Sequence, residues 1–167
     1  MTAYRLRLAS AADAEAICRI YNQGIEDRVA TLETELRTSD ERRQWLAGRD
    51  TRHPVIVAEI GPNTSIGWAS LNVFNAREPY RFVADISVYV ERGWRGKGVG
   101  RVLLEKLTEL GRTHGYHKLV LSAFPGNAGG MALYAKSGFR TVGIYHEQGQ
   151  LDGKWVDTIV MEKLLAV

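Results

Sequence analysis

Tyr4, Leu6 and Leu8 alternate with Arg5 and Arg7, and a period of two places the apolar side chains on one face of a strand and the arginines on the other. The period then changes. After Ser10, a residue suited to helix N-capping, Ala14, Ile17, Tyr21, Gly24 and Ile25 recur every three or four positions. Asp13 and Glu15 fall in the first turn, where the helix dipole favours negative charge. This predicts a helix over residues 11–27. Residues 28–38 read as a loop, and Ser39 followed by Asp40 and Glu41 opens a second helix that carries Trp45 and Leu46 inward and ends near Gly48.

The next segments are strand-like. VIVAEI (55–60) and IGWASLNVF (66–74), separated by a turn over 61–65, read as an antiparallel hairpin, and FVADISVYV (82–90) adds a further strand. Glycine-rich RGWRGKGVG then leads into VLLEKLTELGRTHG, where Val102, Leu103, Leu107 and Leu110 have helical spacing. A strand over 118–124, a helix over 128–137, a strand over 139–147, a turn at Asp152-Gly153 and a strand over 154–163 complete the pattern. Hairpins give way to strand–helix alternation, which predicts an α/β fold with one mixed, twisted sheet of about six to seven strands, flanked by about four helices and containing a βαβ crossover. No repeat or linker interrupts the chain, so residues 1–167 are expected to form one domain.

Composition narrows the function classes. With 45% hydrophobic and 25% charged residues over 167 positions, the chain has enough apolar surface for a core, which excludes disordered, collagen-like and coiled-coil classes. The single cysteine, Cys18, rules out an intrachain disulfide framework and cysteine zinc clusters, and its place in a helical apolar pattern reads as core. No apolar run approaches the roughly 20 residues of a membrane span. The first ten residues lack a signal-peptide pattern, so a cytoplasmic location and no membrane partner are expected. His53, His114, His117 and His146 show no metal-ligand spacing, and no metal is assigned. The net charge of +3 makes anionic ligands the natural direction of search.

The glycine loop is where such a ligand fits. Arg95, Gly96, Lys97, Gly98, Val99, Gly100 and Arg101 lie between an apolar strand and an amphipathic helix, so unpartnered amides at the helix start face outward and glycines allow close approach. A phosphate or pyrophosphate is the expected complement. The spacing excludes two nucleotide motifs: a P-loop needs Gly-Lys followed by Ser or Thr, yet Lys97 precedes Gly98, and a dinucleotide fingerprint needs glycine where Arg101 stands. A solvated basic turn is the bland alternative. Asp85 is a second candidate, because a carboxylate inside an apolar strand is costly unless it is hydrogen-bonded or borders a wet cavity. It shares a strand face with Ser87 and Tyr89.

The pattern Arg95-x-x-Gly98-x-Gly100 after SVYV, followed by Asn127, Leu133-Tyr134 and Gly138-Phe139, resembles the GNAT superfamily of acetyl-CoA-dependent N-acetyltransferases, from the first strand to the last. Within it, IYNQGIEDRVATLETE, NAREPY, DISVYV and LDGKWVD are similar to the phosphinothricin, arsinothricin and methionine sulfoximine N-acetyltransferase branch. The resemblance implies acetyl-CoA as cosubstrate. Its pantetheine arm would pair with the main chain of Ser87, Val88, Tyr89 and Val90, its pyrophosphate would rest on residues 95–101, and Asn127 would bond the arm or simply cap a helix.

Acetyl transfer to an amine needs a neutral amine, a stabilised oxyanion and a proton for the departing thiolate. The resemblance assigns Asp85 as general base, directly or through water, since relatives usually carry Glu there. Tyr134 is implied as proton donor or positioning group, Arg77 and Tyr80 as contacts for the anionic end of the acceptor, and Thr31 and Glu33 as parts of a loop over the pocket. Leu32 stands where relatives often have Phe, which implies a looser acceptor wall. Relatives are commonly homodimers, with WVDTIVMEKLL a candidate for the interface. The implied activity is acetylation of a small anionic amino acid analogue, conferring antibiotic resistance.

Two alternatives stand beside it: a polyamine, aminoglycoside or protein N-terminus as acceptor, and a nucleic-acid surface built from Arg92, Arg95, Lys97, Arg101 and Trp94. The second is disfavoured because those cations crowd one loop instead of forming a broad stripe.

Overall fold

The computed structural model describes residues 3–165. Its strands are β1 (Arg5–Leu8), β2 (Val55–Glu59), β3 (Ser65–Val73), β4 (Val83–Val90), β5 (Lys118–Ala123), β6 (Arg140–Leu151) and β7 (Lys154–Leu164). Its α-helices are α1 (Ala14–Glu26), α2 (Ser39–Ala47), α3 (Val99–Thr113) and α4 (Ala128–Lys136). All seven strands form one sheet in the order β1-β2-β3-β4-β5-β7-β6. The α/β expectation and the element counts hold. Only β4 and β5 pair in parallel, and α3 is the crossover between them.

Both faces of the central strands are covered. On one, Leu103, Leu104 and Leu107 of α3 pack on Ala69, Leu71, Ala84, Ile86 and Leu119. On the other, Ile17 and Ile20 of α1 pack on Val57 and Trp68, with Trp45 and Leu46 of α2 alongside. Two-sided cover explains why β2 and most of β3 are buried continuously instead of alternating. At Gly67 the contact between β3 and α3 is tight: a Cβ there would lie 2.9 Å from Val99 Cγ1 and 3.2 Å from the Tyr89 carbonyl oxygen. Gly67→Val should therefore destabilise the protein by roughly 2 kcal/mol through overpacking, read as a lower midpoint in urea unfolding.

Local chemistry moves several boundaries. α1 is preceded by a 3-10 turn, Ala11–Asp13, in which the Asp13 carboxylate accepts the Ser10 N–H at 2.7 Å and an N–H from each of Arg7 Nη1 and Nη2 at 2.8 Å. That pairing, with Glu59 also on Arg7, turns Arg7 inward and leaves Leu8 exposed, against the simple alternation read from the sequence. The cap of α2 is Thr38, one residue before the expected Ser39: its hydroxyl accepts the Glu41 N–H at 3.2 Å while Glu41 reaches back to the Thr38 N–H at 3.4 Å. α3 begins directly at Val99, so the glycine loop runs into the helix without a spacer. β6 continues to Leu151 in a long hairpin. β7 lies between β5 and β6, so the middle of WVDTIVMEKLL is paired on both sides, and the edge strands of the sheet are β1 and β6, the latter with Val142, Ile144 and Tyr145 exposed.

The register of β4 positions the site. Val83, Ala84 and Asp85 pair with Lys118, Leu119 and Val120 of β5, and there the parallel ladder stops. β4 goes on pairing with β3 up to Val90 opposite Gly67, while β5 pairs with β7 through Ala123. Beyond Asp85 the two strands diverge, opening a notch in the middle of the sheet with the main chain of residues 86–90 along one side.

Candidate active site

Two adjoining cavities occupy the notch. One, of about 220 Å³, is walled by Asp85, Ser87 and Ser122, and the other, of about 290 Å³, by the glycine loop and the start of α3. Val29, Ala30, Val88, Tyr89, Asn127 and Tyr134 belong to both, so the cavities meet at the two phenols.

The glycine-loop side is built as an anion cradle. Gly96 and Gly98 have φ of +75° and +86°, a region that other L-residues avoid, and Gly98 is the N-cap of α3. The amides of the first helical turn lack intrahelical acceptors, and the helix dipole adds positive potential there. Arg95, Gly96, Gly98, Gly100 and Arg101 line this cavity, as expected. Lys97 and Val99 do not. The Lys97 carbonyl accepts the Tyr4 hydroxyl at 2.5 Å, its ammonium lies 5.1 Å from the Trp94 ring centre, and Val99 is turned into the core. Arg92 and Arg95 both grip Asp27, at 2.8 and 2.7 Å, and these pairs, Arg92 foremost, hold the Asp27 carboxyl below its usual range. Two of the four cations considered for a nucleic-acid surface, Arg92 and Arg95, are therefore paired within the fold.

On the other side, burial pushes the Asp85 carboxyl up to about 6, opposed by a hydrogen bond from Asn72. Such a group is ionised at neutral pH yet close enough to it to accept a proton usefully. Tyr134, on α4, packs edge-on to Phe139 with ring centres 6.3 Å apart, and burial raises its hydroxyl above the ordinary phenol range, so it stays protonated. Tyr89 stacks on Trp68 at 5.0 Å and 16° and is likewise raised by burial. Its ring fits against α1 only because Gly24 lacks a side chain: a Cβ there would meet Tyr89 Cε1 at 3.0 Å.

Asn127 fulfils the capping role, its Oδ1 accepting the Gly130 N–H at 3.1 Å, and its amide also donates to the Val29 carbonyl at 3.3 Å. It thereby ties the loop roof to α4. The same loop is held by an Arg28–Asp152 ion pair at 3.0 Å and by Leu32, which packs on Gly149 of β6.

The expected acceptor residues are placed differently. Thr31 and Glu33 line neither cavity: Glu33 is engaged by the Tyr21 hydroxyl at 2.6 Å and Arg37 at 2.7 Å, and the Thr31 hydroxyl accepts the Glu33 N–H at 3.2 Å. Arg77 and Tyr80 also stand outside, because the 3-10 turn Glu78–Tyr80 carries them ahead of β4, on the Asp85 side of the notch. Arg77 is exposed and has no carboxylate partner among the described residues, Glu78 pairing with Arg81 at 3.2 Å instead. Tyr80 leans on Phe74. Sequence reasoning passed over Val29, Ala30 and Ser122, which carry no chemical signal, and Gly24 as a site residue, although an interior helix glycine costs about 1 kcal/mol and so asks for a reason.

A strand edge left unpaired beside a helix start rich in free amides suits a carrier with an extended amide-bearing arm and a pyrophosphate, and a protonatable carboxyl beyond it suits transfer to an amine. That class is borne out by comparison: residues 15–139 match the Acetyltransferase (GNAT) family. The chain belongs to this family and is an N-acetyltransferase that uses acetyl-CoA. It is 32% identical over 158 residues, 94% of this chain and 92% of the relative, to the L-methionine sulfoximine/L-methionine sulfone acetyltransferase of Pseudomonas paraeruginosa. The crystal structure of a ribosomal-protein-alanine N-acetyltransferase from Brucella melitensis aligns with a TM-score of 0.90 at 36% identity, covering 96% of this chain and 99% of that one. A phosphinothricin acetyltransferase from Sinorhizobium meliloti, in complex with acetyl-CoA, aligns with a TM-score of 0.90 at 31% identity, covering 99% and 90%.

Proposed function

We propose that the acceptor is the amino group of a small anionic amino acid analogue such as phosphinothricin, arsinothricin or methionine sulfoximine. The observation that carries this reading is the size and closure of the Asp85 cavity. At about 220 Å³ it suits an amino acid better than an aminoglycoside, and the loop bearing Val29 and Ala30 is tied down over it from α4 and from the β6–β7 turn. Two of the relatives are named for methionine sulfoximine and for phosphinothricin. Arg77, uncommitted to any carboxylate among the described residues, is the cation available for the acceptor's second anionic group, with Tyr80 beside it.

Acetyl-CoA supplies an activated acetyl thioester. In this reading the main chain of Ser87, Val88, Tyr89 and Val90 aligns the carrier's arm along the open edge, and the amides following Gly98 hold its pyrophosphate. Asp85 takes a proton from the acceptor ammonium, directly or through a water, and Tyr134 returns one to the departing sulfur. Coenzyme A release measured over phosphinothricin, arsinothricin, methionine sulfoximine, spermidine, an aminoglycoside and a peptide beginning with alanine tests the assignment. Turnover is expected with the first three. Turnover confined to spermidine or to the peptide would overturn it.

A further inference from the structure

Asn72 lies directly opposite Asp85 in the β3–β4 register. Its amide is the centre of a polar cluster on the α1–α2 side of the sheet. Oδ1 accepts from Arg49 Nη2 at 2.9 Å and from the fully buried Ser70 hydroxyl at 3.0 Å, and Nδ2 donates to Ser87 Oγ at 3.1 Å. Two donors on the oxygen decide which way the amide faces, so its NH₂ is turned toward Ser87, on the strand face that Asp85 shares. Arg49 is itself fixed: Nε donates to the His53 carbonyl at 2.8 Å, Nη2 also donates to the Leu71 carbonyl, and the guanidinium lies 4.6 Å from the Trp45 ring centre. A cation on the carbonyl side of an amide strengthens the donors on its other side.

We propose that Asn72 is a positioning residue for acetyl transfer, one that donates to the Asp85 carboxylate from an amide oriented by Arg49 and so keeps the base ionised and aimed into the cavity. The inference rests on Asp85 being the base. The other groups facing Asp85 are Tyr89 on its own strand, Tyr134 on α4, Ser122 on β5, Asn127 at the start of α4, and Val29 and Ala30 of the roof. No cation lines this cavity among the described residues, and the Arg49 guanidinium reaches only the far side of the Asn72 amide.

A donor to the carboxylate favours its charged form, so removing it raises the pH at which Asp85 ionises. Asn72→Leu leaves Arg49 its two backbone acceptors and removes the donor to Asp85. The acid limb of kcat/KM should move up by about one pH unit, an approximately fivefold loss at pH 6 that shrinks to within about twofold above pH 8. Asn72→Asp keeps an acceptor for Arg49 but sets a second carboxyl beside Asp85. It should move the limb further in the same direction, and it carries the test if the leucine variant does not fold.

The carboxyl resonance of Asp85, assigned by its loss in Asp85→Asn and followed by 13C NMR in the resting protein, should titrate at correspondingly higher pH. A uniform loss of activity at every pH with an unmoved limb and an unmoved Asp85 titration would reduce Asn72 to a packing role and overturn the proposal. An Asp85→Asn enzyme with full turnover would remove the base assignment, and the proposal with it. The resting titration then shows separately whether Asn72 governs the carboxyl.

Discussion

Asp85→Asn should lower kcat by about two to three orders of magnitude, the range expected when a positioned general base is lost, while acetyl-CoA affinity stays within about twofold of wild type. The substitution is nearly isosteric, and Asp85 faces the cavity on the side away from the glycine loop, so binding of the carrier is not engaged. The pH profile gives a second check. Burial places the Asp85 carboxyl at about 6, so wild-type turnover should fall as pH drops through that value and the base takes up a proton. The residual activity of Asp85→Asn should lack this limb. Stopped-flow detection of free thiol across pH 5–9 with saturating acceptor reads both effects, and a variant that keeps both rate and limb would dismiss Asp85 from the chemistry.

The second large effect is expected at Gly98. With φ at +86° this residue turns the chain into α3, and a Cβ there would meet no protein atom within 4 Å. Gly98→Val therefore does not crowd the fold. Its cost is backbone strain of about 1–3 kcal/mol for a β-branched residue in this region, together with two methyl groups placed on the cavity side of the loop. Acetyl-CoA affinity should fall by about 100-fold, equivalent to about 2.7 kcal/mol, as measured by calorimetry. Unchanged affinity would show that the carrier does not rest on these amides.

The strand, glycine loop and helix that make up half of the site were legible in the sequence because each rests on a local signal: apolar period, turn residues and helical spacing. The notch was not. It exists because β4 and β5 stop pairing after Asp85 while each keeps its other partner, β3 and β7, and register between segments 35 residues apart leaves no mark on either one. The Arg49–Asn72 contact joins residues 23 positions apart through a side chain that reads, on its own, as a surface arginine. Arg77 was assigned to the acceptor by resemblance, yet its place outside the cavity depends on the path of the β3–β4 connection, which the composition of NAREPY does not specify. Glu33 was assigned to the pocket by resemblance and is instead consumed by Tyr21 and Arg37, a pairing set by how the loop folds back on α1.

The interruption of pairing between β4 and β5 has an evolutionary corollary. In the proposed arrangement the carrier is held by the peptide N–H and C=O groups of residues 86–90, atoms common to every amino acid, so its recognition does not depend on which side chains stand there. Selection for a different acceptor amine can then act on the residues around Asp85 and the roof while the donor half of the reaction stays intact. One scaffold can diversify its clientele one pocket at a time.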